Sequence, residues 1–167
     1  MNLRSTLSTR DKPSYIPPMF TDLYNTDILT LSAALENAAL ASPDGTARKV
    51  SKLCGSWLEI DLKIAKKNDV DIVSDCALRV QACALGQASA AILKERIIGA
   101  TLVEIRDARD GLRTMLKEGG AAPPGRFEKL SLLAGVAKYP ARHTSTLLAF
   151  DAAVAAFEDA LSNAAAV

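Results

Sequence analysis

Histidine is almost absent. His143 is the single one in 167 residues, which excludes any mechanism that needs two imidazoles from one chain. Aromatic residues make up only 5% of the sequence, too few for the stacking platforms of single-strand nucleic-acid binders. Neither sign of charge dominates: 20 Lys and Arg stand against 19 Asp and Glu, a net charge of +1. No basic footprint is left for neutralising phosphates, so no nucleic-acid partner is expected. Cysteine is scarce and odd in number, with Cys54, Cys76 and Cys83, and no secretory signal precedes them. These features argue against a paired disulfide framework and predict a reducing, cytoplasmic setting. Long apolar runs are missing too. The longest charge-free stretch, Val80 to Leu93, is too short to span a bilayer and contains Gln81, Gln87 and Ser89, so no membrane partner is expected. There is no Gly-x-Ser-x-Gly elbow and no phosphate-cradling glycine loop, which leaves a conventional hydrolase with little support.

What is present is enough for one folded domain. Hydrophobic residues reach 49% and charged residues 23%, a balance that supports a real core and excludes global disorder. Residues 1–20 carry Arg4, Arg10, Lys12 and several Ser and Thr without an apolar segment. They read as a flexible tail, with a transit peptide as the alternative. A single domain is expected over 21–162, followed by a short tail over 163–167.

The hydrophobic pattern changes period along the chain. Tyr24, Ile28, Leu31, Leu35 and Ala38 recur at helical spacing until Ser42-Pro43-Asp44-Gly45 breaks the run. Leu58, Ile60, Leu62 and Ile64 then alternate with Trp57, Glu59, Asp61 and Lys63, the mark of a strand with one buried face. Lys66 to Asp69 reads as a hairpin loop, and Val70, Ile72, Cys76, Leu78 and Val80 resume alternation on even positions. A weaker strand is expected around Lys49 to Leu53. After Ala82 the chain is helical: Leu85, Ala88 and Ile92 share a face that stops near Gly99. Thr101 to Glu104 has the form of a capping box, and Gly119-Gly120 ends the next helix. A Pro/Gly loop over Ala121 to Gly125, a short helix over Arg126 to Val136 and an alanine-rich helix over Arg142 to Leu161 complete the pattern. The expected fold is α+β: a small antiparallel sheet of about three strands packed against several helices.

Parity separates the cysteines. Cys76 shares a face with Ile72, Leu78 and Val80, so it reads as a small core hydrophobe. Cys83 sits where the strand period ends and a helix begins, and the positive end of a helix dipole favours a thiolate. Cys54 precedes Gly55, which suits a tight turn beside a reactive side chain. By spacing alone Cys54 and Cys83 form no zinc motif.

Cys54-Gly55-Ser56 ahead of an alternating strand, and Ala82-Cys83-Ala84-Leu85-Gly86-Gln87-Ala88-Ser89 opening a helix, resemble the first two cysteine motifs of the NifU/IscU/SufU iron–sulfur scaffold proteins. Tyr139-Pro140-Ala141-Arg142-His143-Thr144-Ser145-Thr146 resembles the third, and Tyr24-Asn25-Thr26-Asp27-Ile28-Leu29 the first helix of that family. The resemblance runs from about Asp22 to Leu161. The additional segment Pro123 to Val136, and Tyr139 to Arg142 in place of a Leu-Pro-Pro-Val-Lys chaperone motif, place the chain nearer the SufU-like branch, without a dedicated Hsp70 partner.

The resemblance implies a SufE/NifU-like fold and a scaffold or sulfur-transfer role in iron–sulfur biogenesis, rather than conventional enzymology. Cys54 would accept persulfide sulfur from a cysteine desulfurase, and Cys83 would ligate metal or cluster. The cofactor would be a transient iron–sulfur cluster, a single iron or zinc ion, or none. The other partners would be apo iron–sulfur proteins or carriers, and the chain would be a monomer or weak homodimer. Two family ligand positions depart from the pattern: Ser145 stands where a third cysteine is usual, and Ser56 where an aspartate is usual. Neutral hydroxyls are poor ligands for zinc or iron. His143, two positions before Ser145, either completes a three-ligand site with Cys54 and Cys83 or caps the last helix. The alternative function is a degenerate scaffold fold that no longer assembles clusters and acts as a binding or regulatory partner of the same machinery.

Overall fold

The computed structural model describes residues 22–167; the tail expected over 1–20 lies outside the described residues. Helix α1 (Thr26–Ala34) is capped by Asn25, whose side chain accepts from the Ile28 N–H. The helical spacing continues to Ala38, but the helix stops at Ala34 because the following residues are bound by the sheet. The Ala38 N–H donates to the Leu78 carbonyl at 2.8 Å, and the Val80 N–H donates to the Asn37 side chain at 2.9 Å. Residues 35–44 therefore form a strap that leaves the edge of the last strand and crosses to the first.

Three antiparallel strands follow in the order β1 (Gly45–Val50), β2 (Trp57–Lys67) and β3 (Val70–Gln81). The weak strand expected around Lys49 to Leu53 lies a few residues earlier, as β1. Asn68 and Asp69 both have positive φ, 50° and 63°, which gives a two-residue turn matching the right-handed twist of its strands. Alternation on even positions holds for Cys76, Leu78 and Val80, but Val70 is exposed and Val73 is fully buried. The reason is a bulge. Lys63 pairs with Asp75 while Ile64 pairs with Val73, so Ser74 is an extra residue that reverses the parity before it. The diverted strand edge at Val73 accepts the turn between two helices, with the Val73 N–H on the Ala100 carbonyl at 2.9 Å and the Gly99 N–H on the Val73 carbonyl at 2.7 Å.

Helices cover one face of the sheet: α2 (Ala84–Arg96), α3 (Leu102–Glu118) and α4 (His143–Ala165), with two 3₁₀ segments, Gly125–Lys138 and Pro140–Arg142, before α4. Helix α4 reaches Ala165, so most of the tail expected over 163–167 is its last turn. Leu58, Ile60, Leu62 and Leu78 from the sheet meet Leu85 and Ile92 of α2 and Phe150 and Phe157 of α4 in the core. The Thr101–Glu104 capping box is fully formed, and Gly119 ends α3 in the left-handed conformation. Phe127, in the first 3₁₀ segment, packs edge-on against Phe150 with ring centroids 5.3 Å apart, fixing that segment to α4. The result is a three-stranded α+β domain. Among the described residues no helix is long and apolar enough to cross a membrane.

The outer face of the sheet carries charge. Arg79 donates to Asp61 through its two terminal guanidinium nitrogens, at 2.8 and 3.1 Å, and to Glu59 through Nε at 2.9 Å. Asp61 also accepts from the Leu40 N–H at 3.1 Å, and Arg79 donates to the Ala38 carbonyl at 3.2 Å. This buried carboxylate and its arginine thus hold the strap down. The Arg79 hydrogen bonds keep the Asp61 carboxyl below its ordinary range, against desolvation.

Candidate functional site

The loop between β1 and β2 is closed on itself. The Ser51 N–H donates to the Ser56 carbonyl at 2.7 Å and the Gly55 N–H to the Ser51 carbonyl at 2.9 Å. Gly55 takes φ +70° at the bend, and a Cβ there would meet nothing within 4 Å, so the glycine is required for its backbone conformation alone. Ser51 and Ser56 are buried at the base of the loop, and Cys54 is exposed at its tip. Both hydroxyls turn toward the thiol: Ser51 Oγ lies 3.4 Å and Ser56 Oγ 3.0 Å from Cys54 Sγ. Hydrogen bonds to Ser51, then to the Ser56 hydroxyl and backbone, hold the Cys54 thiol below its ordinary pKa, and the Arg142 charge adds to them. Desolvation opposes this shift. An exposed sulfur with a favoured thiolate is the form that attacks another sulfur.

Cys83 is the N-cap residue of α2, and its side chain makes no capping bond. Its sulfur lies 3.7 Å from Ser145 Oγ across the interface with α4. That approach depends on Gly86, where a Cβ would fall 2.9 Å from Ala82 Cβ and 3.0 Å from the Ser145 carbonyl oxygen. Ser145 Oγ donates to the Arg142 carbonyl at 3.1 Å, as Thr146 Oγ1 does at 2.8 Å. Arg142 bears on both cysteines. Its carbonyl holds the hydroxyl beside Cys83, and its charge acts on Cys54. The segments that carry the second and third motifs meet at Cys83 and Ser145.

Cys76 is core, as its parity predicted. It is 2% exposed, and burial pushes its thiol up to about 12. His143 is the first residue of α4. Its ring Nε2 lies 3.1 Å from the Val136 carbonyl and 3.2 Å from the Ala137 carbonyl, so it ties α4 to the end of the 3₁₀ segment. Among the described residues no three His, Cys, Asp or Glu side chains form a group that could hold a metal ion. Two thiols and two hydroxyls, one of them already donating to a carbonyl, do not make a closed set for a resident zinc. Ser51 was not legible as a site residue. The signal available was its position, three residues before a cysteine in a turn flanked by serines.

Comparison with known proteins gives the family. A family model described as the NifU-like N terminal domain matches residues 30–146. The iron–sulfur cluster assembly scaffold protein IscU of Thermotoga maritima is 29% identical over 97 residues, 58% of this chain. The match spans 65% of that relative's length, just under two thirds. The crystal structure of a nitrogen-fixing NifU-like protein (N-terminal) from Brucella abortus is similar with a TM-score of 0.79 and 44% identity, over 86% of this chain and 98% of that one. A scaffold protein of the SUF system from Fervidobacterium islandicum, described as a putative one, shares the fold at 20% identity and a TM-score of 0.67, over 79% of this chain and 94% of that one. With the family matched across more than half its length and the fold and motifs in place, this chain belongs to the NifU-like N-terminal domain family of iron–sulfur cluster assembly scaffolds.

Proposed function

We propose that this chain accepts sulfur on Cys54 from a cysteine desulfurase and passes it into cluster assembly. The observation that supports this reading is the Cys54 sulfur itself, exposed at a loop tip with two serine hydroxyls at 3.4 and 3.0 Å. In the step, the Cys54 thiolate attacks the outer sulfur of the desulfurase cysteine persulfide. A new S–S bond forms on Cys54, the donor's S–S bond breaks, and the desulfurase cysteine leaves as a thiolate. No outside oxidant or reductant is needed. Ser56 at the aspartate position suits this chemistry, because a hydroxyl stabilises sulfur anions that a carboxylate would repel. Cys83, beside Ser145, is the second sulfur ligand for transient iron or cluster cargo. The test is persulfide transfer from the desulfurase to wild type and Cys54→Ala. Transfer is expected to disappear in the variant, and transfer at the wild-type rate would end the acceptor assignment.

Ser56 and Ser145 also favour a second reading, in which the fold is kept as a binding or regulatory partner that builds no cluster. Anaerobic reconstitution with iron and sulfide separates the two. A stable stoichiometric cluster removes the degenerate reading.

A further inference from the structure

Cys83 is held in place by a residue one helical turn further on. An N-cap side chain ordinarily accepts from a first-turn N–H, but Cys83 makes no such bond, so its sulfur is not committed to the helix. The backbone is fixed from behind instead. The Gln87 N–H donates to the Cys83 carbonyl at 3.0 Å, and the Gln87 side-chain Nε2 donates to the Ala82 carbonyl at 2.9 Å. These carbonyls belong to the two peptide groups that flank the Cys83 Cα. With both planes held, Cys83 keeps φ −63° and ψ 167°, and its sulfur is left with rotation about χ1 alone.

Helix formation does not require this amide. Any residue except proline would make the backbone bond to Cys83, whereas the Ala82 carbonyl lies outside α2. Long side chains on a helix point back toward its N-terminus, which gives glutamine at this position the direction to reach Ala82. Ala82 is also fixed from its other side. Gln81, the last residue of β3, pairs with Trp57 in the sheet and accepts from the indole N–H at 3.0 Å. Trp57 directly follows Ser56, so the Cys54 loop and Cys83 leave the same end of the sheet.

We infer that Gln87 is a positioning residue: its side-chain amide, on the Ala82 carbonyl, fixes the direction in which Cys83 presents its sulfur to thiophilic cargo. This inference rests on the reading of Cys83 as a sulfur ligand. The amide N–H is bound to Ala82, so Gln87 acts through Cys83, by removing backbone freedom that ligation would otherwise have to remove.

The experiment uses the full chain, reduced and free of metal, and compares wild type with Gln87→Leu and Gln87→Asn. Leucine keeps the bulk and loses the donor; asparagine keeps the amide on a side chain one methylene shorter. Iodoacetamide alkylation is mapped by peptide mass spectrometry, so that each cysteine is followed separately. In both variants Cys83 is expected to react about fivefold faster, the factor for losing one ordinary hydrogen bond that holds it. Cys54 and the core Cys76 should keep their wild-type rates. Cd(II), titrated alone as a thiophilic probe, is followed by its thiolate-to-metal ultraviolet absorption. Cys83→Ala should reduce that absorption, and both Gln87 variants should bind Cd(II) about fivefold more weakly. Wild-type Cd(II) binding in both Gln87 variants overturns the role of Gln87 and leaves the ligand reading standing, as does an unchanged rate of Cys83 alkylation. Equal acceleration at Cys76 and Cys83 overturns it too, because the amide would then serve global stability. Absorption that Cys83→Ala leaves unchanged overturns the ligand reading, and the inference with it.

Discussion

Replacing Ser51 and Ser56 by alanine removes both hydroxyls from the Cys54 sulfur, at 3.4 and 3.0 Å. The backbone bond of 2.7 Å from the Ser51 N–H to the Ser56 carbonyl remains, so the loop keeps its closure. Each hydroxyl favours the thiolate, and the Cys54 pKa is lowered chiefly through Ser51 and then Ser56. On an exposed loop each such bond is worth about 0.7 kcal/mol, toward the low end for hydrogen bonds. At about 1.4 kcal/mol per decade, each single substitution then lowers the thiolate fraction near neutral pH about threefold, and the pair about tenfold. Rates fall less than populations, because a more basic thiolate is a better nucleophile. With a Brønsted slope of about 0.4–0.5, alkylation slows roughly twofold per substitution. The assay is the pH profile of iodoacetamide alkylation at Cys54, followed by peptide mass spectrometry so that Cys76 and Cys83 do not contribute. The midpoint should move up in each single variant and further in the double. Above the midpoint the variants should react at least as fast as wild type. A double variant with an unchanged midpoint refutes the role given to the hydroxyls.

Asp61→Ala leaves Arg79 without its bidentate partner and the strap without its Leu40 contact; because Arg79 is partly exposed, the expected loss in urea unfolding is about 3 kcal/mol, the low end for breaking a buried pair. The Asp61 pKa is depressed in the fold, so its stabilisation is full above about pH 4 and is lost as pH falls through the lower folded value. The variant's deficit should therefore shrink in acid. Cys76, pushed up to about 12 by burial, should resist alkylation in the native chain at pH 8 and react in denaturant. The fold holds its proton longer than the unfolded chain does, so its contribution makes stability decline as pH rises above about 8.5. Gly55→Ala places a side chain at φ +70° with no steric neighbour; it should cost about 1 kcal/mol in thermal unfolding. It should also shift the Cys54 alkylation profile, because the turn must adjust.

The sequence was readable where a local cause decides the structure. The Thr101–Glu104 capping box, the start of α2 at Cys83 and the burial of Cys76 all follow from periodicity and side-chain chemistry within one element. Where another part of the chain decides, the pattern misled. Val73 replaces Ile72 in the core because Ser74 bulges so that the strand edge can accept the turn at Gly99 and Ala100. Helix α1 stops at Ala34 because the β3 edge binds Asn37 and Ala38. Strand β1 gave little signal because Gly45 and Ala47 lie under an alanine-rich helix and bring no large apolar side chain. At the site, the cysteine positions were legible from motif order. Ser51 was not, since its approach to the thiol comes from the way the loop closes on itself.

The most direct test of the account is a single-turnover sulfur transfer from the cysteine desulfurase to the full chain, quenched at short times and mapped peptide by peptide. The account predicts that the mass of one sulfur atom appears first on the Cys54 peptide, with Cys76 unmodified throughout. Sulfur appearing first on Cys83, or reaching the chain equally fast in Cys54→Ala, contradicts it.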